Sequence, residues 1–318
     1  MKKTLLALQS ILPPEMKKLE DHFNIIRLWK ENDPEATLRE NADNIVAVLS
    51  TYNSAGVGSN LMEALPNLEI IAQFGVGYNN IDVAEAARRG IAVTYTPDIL
   101  TNDTADTALA LLLATARRVV EGDMFVRVGK WHGGPLPLGT TLAGKTAGIV
   151  GLGRIGRAIA KRLEAFEIDV IYHGRTQKDD VGYPFYKDLR EMAQACDFLV
   201  LACAGGPETE NLVDLDILEA LGPRGILINI ARGTVVNEDD LQVALRNKTI
   251  AAAGLDVFRD EPNVPEALLK MDNVVLLPHI GSATVETRTR MGQLVVDNIL
   301  AYFEGQPVLT PVITSVAA

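Results

Sequence analysis

Short apolar segments alternate along the chain with longer stretches whose apolar residues recur at the spacing of an amphipathic helix. Near-continuous apolar runs are typical of strands that are covered on both faces of a parallel sheet. The chain has such runs at 4–8, 45–49, 68–72, 91–95, 147–150, 169–172, 198–201, 225–229 and 274–277. Their alternation with helical stretches predicts an α/β fold.

Three of the intervening stretches have clear helical patterns. The stretch 105–120 has few polar positions, which favours a helix between packed layers, and Asn102 or Asp103 could cap it. A second helix over 157–166 follows a glycine-rich turn, and a last helical pattern covers 285–304. Pro97 disfavours helix in the residue before it, so a linker is predicted ahead of the first of these helices.

A weak internal repeat of strand, Gly-x-Gly turn, helix and strand occurs twice along the chain. The paired glycines are Gly75 and Gly77 in the first copy and Gly151 and Gly153 in the second. Only the second copy has a third glycine, Gly156, where the first copy has an asparagine. The repeat predicts two Rossmann- or flavodoxin-like doubly wound domains with a cleft between them, of which only the second is built for a dinucleotide.

The domain boundaries follow from the repeat and the predicted linker. Residues 1–98 together with 286–318 are assigned to a substrate-binding domain, since the tail after the last helix could return to the first domain. Residues 99–285 are assigned to the dinucleotide-binding Rossmann domain. Two domains also agree with the chain length of 318 residues.

Composition narrows the class of protein. With 47% hydrophobic and 22% charged residues the chain is of ordinary globular type, and its net charge of −11 argues against a nucleic-acid partner. No apolar run is long enough for a transmembrane helix, so no membrane partner is expected. The two cysteines, Cys196 and Cys203, have no metal-ligand spacing, and we expect buried reduced thiols in a cytoplasmic protein without a metal site.

The strongest local motif is the glycine-rich turn Gly151-x-Gly153-x-x-Gly156, which follows a strand and opens a helix. In this context the glycines permit a tight turn, the approach of the backbone to a pyrophosphate, and close packing of helix on strand. The helix N-terminus offers N–H groups and a positive dipole end to the phosphates. The motif therefore predicts a dinucleotide site.

The end of the next strand indicates which dinucleotide is bound. NAD-binding versions of the fold carry an acid there that bonds the ribose hydroxyls, whereas this chain has Gly174, Arg175 and Thr176. Gly174 removes a side chain that would repel a 2′-phosphate, Arg175 can pair with the phosphate, and Thr176 can donate a hydrogen bond. We expect NADP(H) rather than NAD(H); the alternative is that Arg175 and Lys178 belong to an ordinary solvated turn.

Three titratable residues, Arg232, Glu261 and His279, stand in loops near the ends of predicted strands. In doubly wound sheets ligands bind outside the carboxyl ends of the strands. A lone histidine is more often structural than catalytic, but all three residues together beside a dinucleotide motif favour a catalytic group.

With these motifs the chain resembles the D-isomer-specific 2-hydroxyacid dehydrogenase family over nearly its whole length. The motifs are the glycine turn, Asn229-Ile-Ala-Arg232-Gly233, Ala252-Ala-Gly-Leu-Asp256-Val-Phe with Glu261-Pro262, and Leu277-Pro-His279-Ile-Gly-Ser282. Within the family it is most similar to the glyoxylate/hydroxypyruvate reductase and hydroxyphenylpyruvate reductase branch. The resemblance implies reduction of small 2-oxo acids by NADPH in a homodimeric enzyme.

The resemblance also implies residue roles. His279 would donate a proton to the carbonyl oxygen, Glu261 would orient His279 and favour its charged form, and Arg232 would bind the substrate and polarise its carbonyl. Substrate would further meet Val76, Gly77 and Ser282. Besides His279 and the residues of the two turns above, the positions matched to the cofactor are Thr104, Arg154, Ile155, Cys203, Ile230, Asp256 and Gly281.

Several alternatives stay open at this point. Hydroxypyruvate and glyoxylate are the first expected substrates, and hydroxyphenylpyruvate or 2-ketogluconate are alternatives, with the loop 50–54, including Asn53, expected to face the variable part of the substrate. A dinucleotide-sensing binding protein, like the co-repressors that share the fold, is the alternative of another class. The helix 105–120 and the loop 130–138 are candidates for the dimer surface.

Overall fold

The structure is a computed structural model that describes residues 2–52, 54 and 56–312. It divides into two compact units, of which the first runs up to Leu100 and resumes at Thr284, while Thr101–Ala283 forms the second. These boundaries lie close to those drawn from the sequence, after 98 and before 286.

The first unit is built on a five-stranded sheet in which every recorded strand pair is parallel. Its strands, numbered along the chain, are β1 (Lys3–Ala7), β2 (Phe23–Arg27), β3 (Ile45–Thr51), β4 (Ile70–Phe74) and β5 (Ala92–Thr94). Their order β2-β1-β3-β4-β5 is the flavodoxin-like order. Its helices are α1 (Pro13–His22), α2 (Pro34–Asn41), α3 (Ser59–Ala64), α4 (Val83–Arg88) and, at the far end of the chain, α12 (Val285–Phe303).

The second unit is built on a seven-stranded sheet, again with parallel pairing throughout. Its strands are β6 (Thr146–Val150), β7 (Asp169–His173), β8 (Phe185–Tyr186), β9 (Phe198–Leu201), β10 (Ile226–Asn229), β11 (Ala252–Leu255) and β12 (Val274–Leu276). The order β12-β11-β10-β9-β6-β7-β8 is the Rossmann order with one strand added. Its helices are α5 (Thr101–Ala116), α6 (Val119–Arg127), α7 (Arg154–Ala165), α8 (Leu189–Gln194), α9 (Leu215–Leu221), α10 (Glu238–Arg246) and α11 (Glu266–Leu269).

Alternate residues of the central strands enter two separate cores, because successive side chains of a strand point to opposite faces. In β9, Leu199 and Leu201 pack with the buried side chains of α8, α9 and α10. Phe198 and Val200 instead pack with those of α5 and α7. Helices therefore cover both faces of this sheet, which confirms the predicted α/β fold with doubly wound parallel sheets.

Three strands of the structure were not predicted from the hydrophobic pattern, and each has an identifiable reason. β2 follows α1 directly and lies at the edge of its sheet, where only Phe23 is buried. β8 has only two residues, and β11 has the sequence Ala-Ala-Gly-Leu, which lacks the branched and aromatic residues typical of strands. Such strands are defined by their neighbours rather than by their own composition.

The long helix predicted over 105–120 differs in the structure. α5 begins at Thr101, so Asn102 and Asp103 lie in its first turn and neither is the N-cap that we expected. It ends at Ala116, and Arg118 adopts the left-handed conformation with φ 55° before α6 begins. Most apolar side chains of α5 are buried within the second unit, whereas Val119 and Val120, at the end of the predicted stretch, lie in α6 and are exposed.

Candidate active site

The glycine turn after β6 has the form that a dinucleotide requires. Gly151 has φ 95°, and a Cβ atom there would lie 2.6 Å from the Cα atom of Cys203. A Cβ atom on Gly156 would lie 2.2 Å from the carbonyl oxygen of Gly151. Gly153, in contrast, has open space where its side chain would be. The outer glycines are thus required by close packing, while the middle one leaves the backbone accessible to a pyrophosphate, so the turn fits this group.

The residues around this turn present mainly backbone atoms. Arg154 and Ile155 lie in the first turn of α7. The backbone N–H groups of such a turn are available to an anionic ligand at the helix start. Burial raises the pKa of the Cys203 thiol to about 11, so this thiol stays protonated and its backbone is what meets the glycine turn. The Cys196 thiol is buried as well, with a pKa raised to about 12, and neither cysteine is in a disulfide.

The turn after β7 is open and positively charged. Gly174 has nothing within 4 Å of the position of a Cβ atom, and the side chain of Arg175 is 91% exposed. Thr176 lies beside Arg175 and accepts a hydrogen bond of 3.4 Å from the Lys178 ammonium group. The carboxylate of Glu208, in a distant loop of the same unit, approaches Arg175 to 4.0 Å. The turn fits a 2′-phosphate, with Glu208 as a neighbour that the sequence did not indicate.

His279 and Glu261 form a direct pair. The distance between His279 Nδ1 and Glu261 Oε2 is 2.6 Å, and the two side chains are only 20% and 21% exposed. The other oxygen, Oε1, accepts the backbone N–H of Phe258 at 3.0 Å, which fixes the direction of the carboxylate. Burial alone would raise the pKa of Glu261, but the hydrogen bond and charge of His279 hold it below its ordinary value.

The loop that carries His279 is held by two residues of the same unit. His279 has φ 54°, a left-handed conformation that is costly for a residue with a side chain. The carboxylate of Asp256 accepts the N–H groups of Ile280 and Gly281 at 2.7 and 2.8 Å. Thr104 donates its hydroxyl to the Gly281 carbonyl at 3.1 Å. The sequence placed Thr104 and Asp256 at the cofactor, and the structure shows in addition that they fix the loop of His279.

Asp256 is itself nearly inaccessible, at 2% exposure. Burial raises its pKa, while the two N–H donors and the charge of His279 act in the opposite direction. The carboxylate of Asp256 therefore serves to hold the loop of His279.

Arg232 follows β10 on a backbone that Asn229 clamps from both sides. The Asn229 amide donates to the Arg232 carbonyl at 3.0 Å, and its oxygen accepts the N–H of Ala231 at 3.0 Å. The guanidinium donates to the Ala231 carbonyl at 2.6 Å, and the side chain packs so close to Gly205 that a Cβ atom there would lie 2.6 Å from its Cγ atom. Burial lowers the pKa of Arg232, and the negative charge of Glu261 opposes this.

These residues share one edge of the second sheet. The glycine turn follows β6, the Gly174 turn follows β7, and Cys203, the buried Ile230, Asp256 and His279 follow β9, β10, β11 and β12. Because all of these strands are parallel, their carboxyl ends meet at the same edge. The fold thus brings the predicted cofactor positions and the Arg232, Glu261 and His279 group to one side of the unit.

Val76 and Gly77, which the resemblance assigns to the substrate, form a turn in the first unit after β4. The buried Gln73 donates its amide to the Gly77 carbonyl at 2.9 Å and to the Asn80 side-chain oxygen at 3.2 Å. Asn80 in turn donates to the Thr51 carbonyl at 3.1 Å. The asparagine that replaces the third glycine therefore ties the turn to the end of β3.

Two further sequence predictions concern loop residues. Ser282 lies at the end of the second unit, directly after Gly281. Asn53, which we expected to face the substrate, lies outside the residues that the structure describes.

Two classes of site have no candidate in the part of the chain that is described. Within residues 2–52, 54 and 56–312, no three or more His, Cys, Asp or Glu side chains form a group that could hold a metal ion. Over the same residues, no helix is both long and apolar enough to cross a membrane.

Comparison with known proteins identifies relatives over almost the whole chain. Residues 109–281 match the family model described as D-isomer specific 2-hydroxyacid dehydrogenase, NAD binding domain. A glyoxylate/hydroxypyruvate reductase A of Arabidopsis thaliana is 48% identical over 93% of this chain and 94% of its own length. A hydroxyphenylpyruvate reductase of Plectranthus scutellarioides is 46% identical over 93% of this chain and 95% of its own.

A solved structure of similar sequence has the same fold as this chain. The NADPH-dependent glyoxylate/hydroxypyruvate reductase of Sinorhizobium meliloti, crystallised in complex with NADP and malonate, aligns with a TM-score of 0.89 and 44% sequence identity. The alignment covers 98% of this chain and 97% of that one.

Proposed function

The chain belongs to the D-isomer specific 2-hydroxyacid dehydrogenase family, and from this premise we propose that it is an NADPH-dependent reductase of small 2-oxo acids. Hydroxypyruvate and glyoxylate are the proposed substrates, and the products are the corresponding 2-hydroxy acids, in the D configuration where C2 is chiral. The observation that carries the proposal is the 2.6 Å pair of His279 and Glu261 on the sheet edge that also bears the glycine turn. Relatives that are themselves reductases favour an enzyme over a dinucleotide-sensing binding protein.

In this proposal His279 is the proton donor. Its Nδ1 atom is engaged by Glu261, so we assign the transferred proton to Nε2. Glu261 orients the ring and stabilises its protonated form, which is the form that reduction consumes. Asp256 and Thr104 keep the loop of His279 in its left-handed conformation. The pair thus delivers a proton from a fixed position as the carbonyl oxygen gains negative charge.

Arg232 binds the anionic substrate and polarises its carbonyl group. Its burial strengthens an interaction with a carboxylate or carbonyl oxygen, because little water competes there. We assign Ser282 and the turn of Val76 and Gly77 to the substrate as well. The hydrogen bond from Gln73 to the Gly77 carbonyl supports the turn as a preformed group of backbone donors. On this assignment the substrate residues are Val76 and Gly77 of the first unit and Arg232 and Ser282 of the second.

The cofactor supplies the hydride to the 2-oxo carbon when it is bound. We assign its pyrophosphate to the glycine turn and the start of α7, and its 2′-phosphate to Gly174, Arg175 and Thr176, with the open space and exposed guanidinium as support. The remaining proposed cofactor contacts are Thr104, Arg154, Ile155, Cys203, Ile230, Asp256, His279 and Gly281.

We further propose that the protein is a cytoplasmic homodimer. The surface from 119 to 138 carries Val119, Val120, Met124, Val126, Val128, Trp131 and Leu138, all of them large apolar side chains that are at least half exposed in the single chain. A segment so rich in exposed apolar side chains is typical of a protein interface. Sedimentation would report the mass of two chains, and Val126→Asp would shift it toward one.

The proposed cytoplasmic location is supported by the two free thiols, which are in keeping with a reducing compartment.

Initial rates of NADPH oxidation test the proposed reaction. Hydroxypyruvate, glyoxylate, hydroxyphenylpyruvate and 2-ketogluconate would be compared, each with NADPH and with NADH. We expect faster turnover with NADPH and with the two smaller acids. Preference for hydroxyphenylpyruvate or 2-ketogluconate would transfer the assignment to that substrate, and binding of NADPH without turnover of any 2-oxo acid would contradict the reductase proposal.

A further inference from the structure

The turn after β7 has almost no packing of its own. All residues from 175 to 180 are exposed, and the side chain of Arg175 is 91% exposed. A segment without buried apolar contacts keeps a single conformation only through hydrogen bonds to more rigid parts of the protein. The position of Arg175 and Thr176 therefore depends on what tethers this turn.

One tether comes directly from the core. Tyr172 in β7 is 1% exposed, and its ring packs against Phe185 of the neighbouring strand with centroids 5.3 Å apart. Its hydroxyl oxygen accepts the backbone N–H of Lys178 at 2.7 Å. The rigid ring thus fixes one backbone atom on the far side of the turn from Gly174. A buried tyrosine hydroxyl without such a partner would be unfavourable, so the bond serves the core and the turn together.

A second tether lies at the surface and is weaker. Arg157 donates to Asp180 at 2.8 Å, but the two side chains are 36% and 71% exposed. Exposed pairs of this kind contribute little, since water and salt compete with them. The Tyr172 hydroxyl is therefore the main constraint on the middle of the turn.

We infer that Tyr172 is a positioning residue for cofactor choice: its hydroxyl holds the Gly174–Lys178 turn in the form that receives the 2′-phosphate. The inference rests on the proposed function, in which this turn binds NADPH. When the turn is already ordered, the free energy of binding is not reduced by the entropic cost of ordering Arg175 and Thr176. NADH lacks the 2′-phosphate and gains nothing from this order. Tyr172 should therefore influence the affinity for NADPH and leave that for NADH unchanged.

The test is a pair of dissociation constants measured by fluorescence titration of the full chain with NADPH and with NADH. Tyr172→Phe keeps the ring and removes only the hydroxyl. We expect weaker binding of NADPH by about 3–10-fold, the range for one hydrogen bond, and a change of less than about twofold for NADH. Tyr183→Phe is the matched control, because the Tyr183 hydroxyl lies in the same connection but donates to Glu164 at 2.9 Å. It should leave both constants unchanged.

A second pair of variants removes the same hydrogen bond from its other side. Lys178→Pro lacks the donated N–H, while Lys178→Ala keeps it and measures the share of the ammonium group alone. Relative to Lys178→Ala, the proline variant should lose affinity for NADPH selectively. Adding Tyr172→Phe to Lys178→Pro should then have no further effect, because the two changes break one bond. This pair decides the question if Tyr172→Phe proves too unstable to titrate.

The outcomes separate the inference from the proposed function. A selective loss of NADPH affinity in Tyr172→Phe and Lys178→Pro supports the positioning role. An equal loss for both cofactors would show that Tyr172 only supports the fold, and unchanged constants would show that the turn needs no tether; either result overturns the inference. Wild-type protein that reduces 2-oxo acids without preferring NADPH would instead refute the assigned cofactor, and this inference with it.

Discussion

Replacing Glu261 by glutamine is expected to change the pH dependence of reduction in a direction fixed by the geometry of the site. The wild-type carboxylate lies 2.6 Å from His279 Nδ1 and favours the protonated ring. Reduction consumes that protonated form, so the rate falls as the pH rises and the ring loses its proton. Without the negative charge the ring loses its proton at lower pH, and the fall in rate must move to lower pH.

The size of the effect on the rate follows from the contact between Glu261 and His279. A hydrogen bond to a charged group contributes about 1.5–3 kcal/mol, and one pH unit corresponds to about 1.36 kcal/mol. Exposures of 20% and 21% leave limited screening by water. The pH at which kcat/KM for reduction falls to half should therefore be lower in the variant than in the wild-type protein, since the hydrogen bond and charge of His279 lower the pKa of Glu261 in the wild type. Near neutral pH, reduction by the variant should be about 10–100-fold slower, with most of the difference recovered in acid.

The assay is kcat/KM for hydroxypyruvate with saturating NADPH between about pH 5 and 9, because this quantity reports ionisation of the enzyme before the 2-oxo acid binds. Asp260→Asn is the matched control, since it removes the same charge from the adjacent residue, whose carboxylate contacts Asn263 instead. It should leave the profile in place. A uniform loss of rate in Glu261→Gln with an unshifted profile would refute the electrostatic role and leave Glu261 as a residue that only orients the ring.

Three further predictions concern binding. Gly156→Ala should abolish detectable NADPH binding by fluorescence titration, because its Cβ atom would lie 2.2 Å from the Gly151 carbonyl oxygen; binding at wild-type affinity would contradict the proposed turn. Glu208→Gln should tighten NADPH binding by about two- to fivefold at low salt, since it removes an acid 4.0 Å from Arg175; an unchanged constant would place the 2′-phosphate elsewhere. Gln73→Leu should raise KM for hydroxypyruvate about tenfold with an unchanged NADPH dissociation constant, and a parallel rise in both would indicate a general loss of structure.

Features that depend on neighbouring residues in the chain could be predicted from the sequence. Apolar runs marked β3, β6 and β9, because a strand covered on both faces must be apolar at nearly every position. The glycine turn is equally local, since the close approach of Gly156 to Gly151 is set by residues five apart. The strand-end positions of Arg232 and His279 followed from the parallel sheet itself.

Several features that depend on partners far apart in the chain could not be predicted from the sequence. α5 ends at Ala116, and Arg118 then adopts a left-handed backbone conformation. No local sequence pattern predicted this helix end. The approach of Glu208 to Arg175 joins two loops, and the bonds from Asp256 to the loop of His279 join two strand ends. Residue type alone indicated that an acid and a histidine were present at these strand ends, but not how their atoms would meet.

The sequence by itself determined the parallel α/β architecture, the glycine turn and the identity of the charged residues at the sheet edge. Each of these features depends on residues that are close together along the chain. The pairing of Glu261 with His279 was expected from the family resemblance, but only the tertiary structure decided the other contacts that hold these residues. The Tyr172 hydroxyl meets the Lys178 backbone, and Gln73 meets the Gly77 carbonyl, at hydrogen-bond distances that depend on side-chain direction and packing. A hydrogen bond is lost over a fraction of an ångström, and that accuracy is set by the packed core.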